Sequence, residues 1–101
     1  MITSINIKNL GTVNKNYVSI KNTVEDKQIE VWFSYNTPVA FSYQSYKGVQ
    51  GLDGTISEFQ VRQNEWSTTT GKLLNELQSD KSKRIDGALF EEKLSFYLST
   101  I

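Results

Sequence analysis

The sequence of 101 residues contains no cysteine and no histidine. Without cysteine, the chain can form no disulfide, no thiolate metal site and no cysteine nucleophile. Without histidine, it lacks the commonest general base, the commonest metal ligand and the side chain that titrates near neutral pH. We therefore expect a protein that is not an enzyme and that uses no metal or cofactor.

The sequence also has no excess of either charge and no long apolar run. Eleven Lys and Arg side chains balance eleven Asp and Glu side chains, so the formal net charge is zero. Because duplex DNA is bound by clustered Lys and Arg, we expect no duplex DNA ligand. A neutral surface does little to oppose self-association, which leaves a homo-oligomer open.

No apolar run approaches the roughly 20 residues that cross a bilayer, and no signal peptide is evident, so we expect a cytoplasmic protein without a membrane contact.

The first half of the sequence alternates between apolar and polar residues, as half-buried strands do. The pattern predicts strands around Ile5–Ile7, Val18–Ile20, Gln28–Tyr35, Val39–Tyr43 and Ile56–Gln63. Pro38 cannot donate a hydrogen bond to a strand ladder, so we expect a turn, a bulge or a sheet edge there. The three glycines within residues 46–54 predict a hairpin connection.

The periodicity changes after Ser67, which we expect to be the N-cap of a helix over about Thr68–Ser79. A charged connector follows at Asp80–Arg84, and we expect it to be solvated. Asp86 is then expected to cap a final helix with an apolar stripe. The members of the stripe are Phe90, Leu94, Tyr97, Leu98 and Ile101.

The order of these elements predicts one small domain, residues 1–101, of the α+β class. Strands precede helices, and the short links favour antiparallel pairing, because parallel strands need long crossovers. We expect an antiparallel sheet of about four to five strands, followed by two C-terminal helices packed on one face.

The segment Asn64–Lys72 concentrates polar residues at the start of the first helix. An anion could bind there, because amide N–H groups and a partial positive charge meet at a helix N-terminus. The candidate residues are Ser67, Thr68, Thr69, Thr70, Gly71 and Lys72. Gly71 costs about 0.5–1 kcal/mol relative to Ala, which suggests a close approach to its backbone. The competing interpretation is N-capping with a solvated Lys72.

Three aromatic residues are candidates for contacting a partner protein. Trp32 lies on the strand face opposite Phe33, Tyr46 lies in a loop, and Trp66 directly precedes Ser67. Exposed aromatic side chains are typical of binding surfaces. The alternative for Trp32 is that it packs beneath the C-terminal helix or in a dimer interface.

Two segments of the chain also match a known pattern. Val31–Phe41 ends in Tyr-x-Thr-Pro-Val-Ala-Phe, and Asn64–Asn75 begins Asn-x-Trp-Ser-x-Thr-Thr-Gly-Lys. In these segments, roughly the middle half of the chain, it resembles a group of short phage and prophage proteins of unknown function. Leu73 stands where many members carry a histidine. The resemblance implies a viral or mobile-element origin and supplies no activity.

Together these observations favour a small, non-enzymatic binding protein of phage type. We expect it to bind a host protein in the host cytoplasm, for example a component of an antiviral defence system, as an anti-CRISPR inhibitor does. Two alternatives stay open. One is a sponge that binds a nucleotide or phosphorylated signal at Ser67–Lys72, and the other is an accessory protein of the virion or its assembly.

Overall fold

The structure, a computed structural model, describes residues 2–11, 15–46 and 54–101. One antiparallel sheet contains β1 (Ser4–Asn9), β2 (Lys15–Asn22), β3 (Lys27–Ser34), β4 (Thr37–Ser45) and β5 (Ile56–Val61), in the order of the sequence. It is followed by α1 (Thr68–Leu77), a 3-10 turn (Lys81–Lys83) and α2 (Gly87–Thr100). The predicted α+β class, with an antiparallel sheet and two C-terminal helices, is confirmed. Residues 47–53 of the predicted hairpin connection lie outside the described residues.

Helix α2 covers one face of the sheet and forms the larger core cluster. Alternation along β3 and β4 directs apolar side chains to this face, where two residues of α2 pack on them. The buried members are Ile29, Val31, Phe41, Tyr43, Phe90 and Leu94. Tyr97 of α2 also stacks on Tyr43, with ring centroids 4.2 Å apart. Leu98, predicted to belong to the buried stripe, is exposed instead, because the side of α2 that faces the sheet is narrower than the stripe.

Helix α1 has a core cluster of its own. Ala40 directly precedes Phe41, so their side chains point to opposite faces of the sheet. Ala40 packs with Leu73 and Leu74 of α1. The sequence interpretation placed both helices on one face, whereas here each helix packs against a different set of strand residues. Side-chain alternation cannot show which of the two faces a following helix returns to.

The register of β3 against β4 shifts between Trp32 and Phe33, beside Pro38. The expected irregularity at Pro38 is therefore present, and it leaves both Val39 and Ala40 fully buried. Strand β3 ends one residue earlier than predicted, because Tyr35 has a φ of 56° and lies exposed in the turn before β4. Within the described ranges, no helix is long and apolar enough to cross a bilayer.

Candidate binding face and the start of helix α1

The start of α1 uses two of its four hydroxyl groups, those of Ser67 and Thr70, in contacts within the chain. Ser67 is the N-cap, and its Oγ accepts a hydrogen bond from the Thr70 N–H at 3.1 Å, as predicted. The Thr70 hydroxyl is fully buried, 3.0 Å from the Ser67 Oγ and 2.6 Å from the Ser34 Oγ on β3. These bonds dock the first turn of α1 on the sheet.

The remaining residues of the candidate anion site are more open. Thr68 and Lys72 are exposed, and Thr69 is half-buried. A Cβ added to Gly71 would meet only the Glu65 Cδ, at 4.0 Å, so packing within the chain does not require glycine there. The structure thus brings all six residues to one helix end, but the groups still available to an anion are fewer than the sequence suggests.

Arg84 is a structural residue that the sequence interpretation missed. The connector was expected to be solvated, yet Arg84 is only 5% exposed. Its Nη1 donates to Glu65 Oε1 at 2.6 Å, its Nη2 to Asn75 Oδ1 at 2.7 Å, and its Nε to the Gln78 carbonyl at 3.0 Å. The hydrogen bond from Arg84 lowers the pKa of the Glu65 carboxyl. The guanidinium therefore ties the segment before α1 to the end of α1.

The sheet face opposite α2 carries polar and aromatic side chains in cross-strand rows, and we name it the polar–aromatic face. One row holds Tyr17, Trp32 and Ala40. The next row holds Ser19, Glu30, Ser42 and Phe59, and a third holds Lys21, Gln28, Gln44 and Ser57. Helix α1 packs at one end, over Ala40 and Val61. The second and third rows lie beyond the residues that pack against α1.

Three rings form a continuous strip across this face. The Trp32 ring lies edge-on to Tyr17 at 5.3 Å and to Phe59 at 6.1 Å between centroids. Trp32 is half-buried, because it also packs against the α1 cluster, while Phe59 is 42% exposed. Trp32 is therefore part core and part surface. Sequence reasoning did not single out Tyr17 or Phe59, because only the strand register places them beside Trp32.

Hydrogen bonds hold the polar groups around the strip in place. The Tyr17 hydroxyl donates to the Glu30 carboxylate. Burial, together with that carboxylate, raises the pKa of Tyr17. Gln28 Nε2 donates to Gln44 Oε1 at 3.0 Å, and the exposed Tyr46 hydroxyl donates to the same oxygen at 2.7 Å. The face thus presents fixed donors and acceptors.

Tyr46 and Trp66, the other two aromatic candidates, occupy different places. Tyr46 lies just beyond the third row of the polar–aromatic face, where its hydroxyl bonds Gln44, and it helps to line a pocket with Lys21, Asp26 and Gln28. Trp66 is exposed in the segment before α1, outside the three rows. The structure therefore brings Tyr46 and Trp32 to one face and leaves Trp66 apart from them.

The fold and the face define a class: a small α+β protein with a meander sheet, covered by a helix on one face and partly open on the other. The chain belongs to the family of unknown function DUF8033, whose model matches residues 5–92. The match runs from β1 into α2, so it includes both the polar–aromatic face and the start of α1. No curated protein and no solved structure matches the chain.

Proposed function

We propose that this protein is a non-enzymatic binding protein that contacts a partner protein through its polar–aromatic face. The strip of Tyr17, Trp32 and Phe59 carries the proposal, because its rings are held by contacts across the sheet and Phe59 stays exposed. Rings held in this way bury apolar area with little loss of side-chain entropy, and fixed amides beside them add specificity.

The resemblance to short phage proteins supports a finer proposal about the partner. We propose a host protein in the host cytoplasm, and specifically a component of an antiviral defence system. The charges on the face are mixed, with Lys21 and Glu30 in adjacent rows, and the chain has no net charge. Affinity would then come from apolar burial and hydrogen bonds more than from electrostatic steering.

Affinity capture with two matched variants tests this proposal. Phe59→Ser removes the exposed ring of the strip, and Leu89→Ser removes an equally exposed side chain, also 42%, from α2. Each immobilised protein is incubated with bacterial lysate, and retained proteins are quantified by mass spectrometry. We expect the wild type and Leu89→Ser to retain one protein near one-to-one stoichiometry, and Phe59→Ser to retain at least about tenfold less.

Two results would count against the proposal. One is the absence of any partner near one-to-one stoichiometry, and the other is equal retention of a partner by Phe59→Ser and the wild type. Multiple-turnover conversion of any substrate by the purified chain would contradict the non-enzymatic part.

The nucleotide-sponge alternative has less support from the geometry. The hydroxyls of Ser67 and Thr70 lie within hydrogen-bonding distance of one another, and Thr70 also bonds Ser34. Lys72 and Thr68 are the exposed groups that a phosphate would still reach. A role in the virion or its assembly has no feature of the described residues in its favour.

A further inference from the structure

Strand β1 is an edge of the sheet with backbone groups that face outward. The Leu10 N–H donates to the Lys15 carbonyl of β2 at 2.9 Å. Because hydrogen-bonded residues alternate along an antiparallel strand, the N–H and C=O groups of Ile5 and Ile7 point away from β2. No strand of the described residues pairs with this edge. Such an edge is a template for another strand.

The same two residues expose apolar side chains. Ile5 is 58% exposed and Ile7 is 70% exposed. They pair with Ile20 and Val18 of β2, and Val18 pairs with Val31 of the core, so they lie on the face that α2 covers farther along the sheet. The apolar surface therefore continues from the core to the free edge.

Helix α2 does not extend over β1, the strand at the free edge. Its Lys93 and Tyr97 both contact Glu58 on β5, at the opposite side of the sheet. At 100° per residue, Leu98 lies about 140° around α2 from Lys93, and it is exposed. The side chains of Ile5 and Ile7 are thus left uncovered beside the free edge.

A second copy of β1 complements this edge in one antiparallel register. When the pairing is centred on Asn6, Ile5 lies opposite Ile7 of the partner subunit, and Ile7 lies opposite Ile5 of the partner subunit. Four isoleucines then adjoin on one face, and the outward N–H and C=O groups of Ile5 and Ile7 become hydrogen-bonded pairs. Ser4 faces Lys8 of the partner subunit, so no like charges are opposed.

The neighbouring registers are poorer. A shift by two residues keeps the faces aligned but places an isoleucine opposite Asn9 or Thr3 of the second copy. A shift by one residue would turn the isoleucines to the polar side of the partner sheet. The isoleucine pairs therefore select the register centred on Asn6.

We propose that two copies of this chain pair through β1 in that register. The dimer has one continuous sheet of ten strands, five from each copy, with both α2 helices on the same face. Pairing of one short strand gives an interface on the order of 1,000 Å², at the small end of specific interfaces. We expect a dissociation constant in the micromolar range.

Sedimentation equilibrium over a concentration series tests the dimer. The wild type should approach twice its 11.5 kDa mass as the concentration rises. Ile7→Lys should raise the dissociation constant at least about 100-fold, because each dimer loses two buried isoleucines and gains two charges. Leu89→Lys, on α2, is the matched control and should dimerise like the wild type. A wild type that stays monomeric at millimolar concentration, or a dimer that survives in Ile7→Lys, overturns the proposal.

Single cysteines test the register, since the chain has none of its own. The two copies of residue 6 form a non-hydrogen-bonded pair, with Cα atoms about 4.5 Å apart, which suits a disulfide. Two copies of residue 4 would be about 14 Å apart. Under mild oxidation, Asn6→Cys should form a disulfide dimer at least about tenfold faster than Ser4→Cys. Equal rates, or faster oxidation of Ser4→Cys, overturn the register.

The dimer and the proposed function can fail separately. Phe59 lies on the opposite face of the sheet from Ile5 and Ile7. Phe59→Ser should therefore lose the partner protein and keep the dimer, whereas Ile7→Lys should lose the dimer. A dimer disrupted equally by both variants would contradict the assignment to β1.

Discussion

The candidate binding residues lie in two regions, the start of α1 and the polar–aromatic face. Hydrogen bonds hold polar groups in both regions, but the polar–aromatic face also leaves an aromatic ring exposed. At the start of α1, Ser67 and Thr70 bond each other, and Glu65 bonds Arg84. On the sheet face, hydrogen bonds hold Tyr17 and Tyr46 in place while the Phe59 ring stays exposed. A polar motif can therefore serve folding, and the surface that the fold leaves open is where we propose that a partner binds.

The strongest test of this contrast is Arg84→Met, which removes the guanidinium behind the start of α1. We expect a loss of about 2–3 kcal/mol of unfolding free energy, because three hydrogen bonds to a buried cation disappear. Urea denaturation measures the change. Lys83→Met, at an exposed neighbouring position, should change stability by no more than about 0.5 kcal/mol. Equal effects of the two variants would mean that Arg84 does not hold this segment.

Thr70→Val examines the buried hydroxyl cluster and should cost about 1–2 kcal/mol, because it leaves the Ser34 hydroxyl without its partner. Thr68→Val, at an exposed position of the same helix turn, is the control and should be near neutral. Adding Ser34→Ala to Thr70→Val should recover part of the loss in the same denaturation experiment. A Thr70→Val protein as stable as the wild type would show that the cluster contributes little.

A pH series tests how α2 holds β5, the strand that carries Phe59. Burial raises the pKa of Glu58, but hydrogen bonds from Tyr97, Gln60 and Lys93 together lower it more. Because the pKa of Glu58 is lower in the folded state, the ionised carboxylate stabilises the fold at pH values above the unfolded-state pKa of 4.5. That stabilisation is lost as pH falls through the folded-state pKa. Glu58→Gln should therefore show less acid destabilisation than the wild type. Identical acid slopes in urea unfolding would contradict this assignment.

The contact between Tyr97 and Glu58 also predicts a change in stability at alkaline pH, where unfolding free energy is lost as pH rises. Burial, with the Glu58 carboxylate beside it, raises the pKa of Tyr97 to about 12. The protonated phenol therefore contributes fully below about pH 10, and its contribution declines as pH rises toward 12. Tyr97→Phe should remove that alkaline loss, so its unfolding free energy should fall less between these two pH values than that of the wild type.

Gly71→Ala should have a smaller effect on unfolding free energy, and it should stabilise the protein. We expect a gain of about 0.5–1 kcal/mol, because alanine favours the helix and the nearest atom to the new Cβ is 4.0 Å away. Gly87→Ala is the contrasting variant, since its Cβ would lie 2.7 Å from Arg62 Nη2 and 2.9 Å from Asn64 Oδ1. Thermal unfolding compares the two. Loss of stability in Gly71→Ala would mean that this helix end is more crowded than its contacts indicate.

The smallest expected effect is on ligand binding at the start of α1. Calorimetry with a panel of cyclic and linear nucleotides should show no saturable heat for the wild type, because the Ser67 and Thr70 hydroxyls bond within the chain. Thr69→Ala and Lys72→Ala should give the same flat titrations. Saturable binding that is lost in Lys72→Ala would reverse the comparison and favour the nucleotide-sponge alternative.

Local sequence patterns predicted the strands and helices well, but they could not predict contacts between residues far apart in the sequence. Alternation located the strands, and the preference of Ser67 and Asp86 for N-cap positions located both helix starts. The burial of Arg84 was missed, because its partners Glu65 and Asn75 are 19 and 9 residues away in sequence and nothing in the charge run marks it. The aromatic strip was found only in part, because Phe59 reaches Trp32 through the register of three strands.

Local sequence was enough to predict the α+β class, because strand periods and helix caps are properties of residues and their near neighbours. Three features required the folded structure: which polar groups bond each other, which face of the sheet stays open, and which edge has no strand partner among the described residues. Those outcomes depend on strand register and helix placement. Strand register and helix placement are both set by packing between residues far apart in the chain, so the periodicity of a short segment does not predict them.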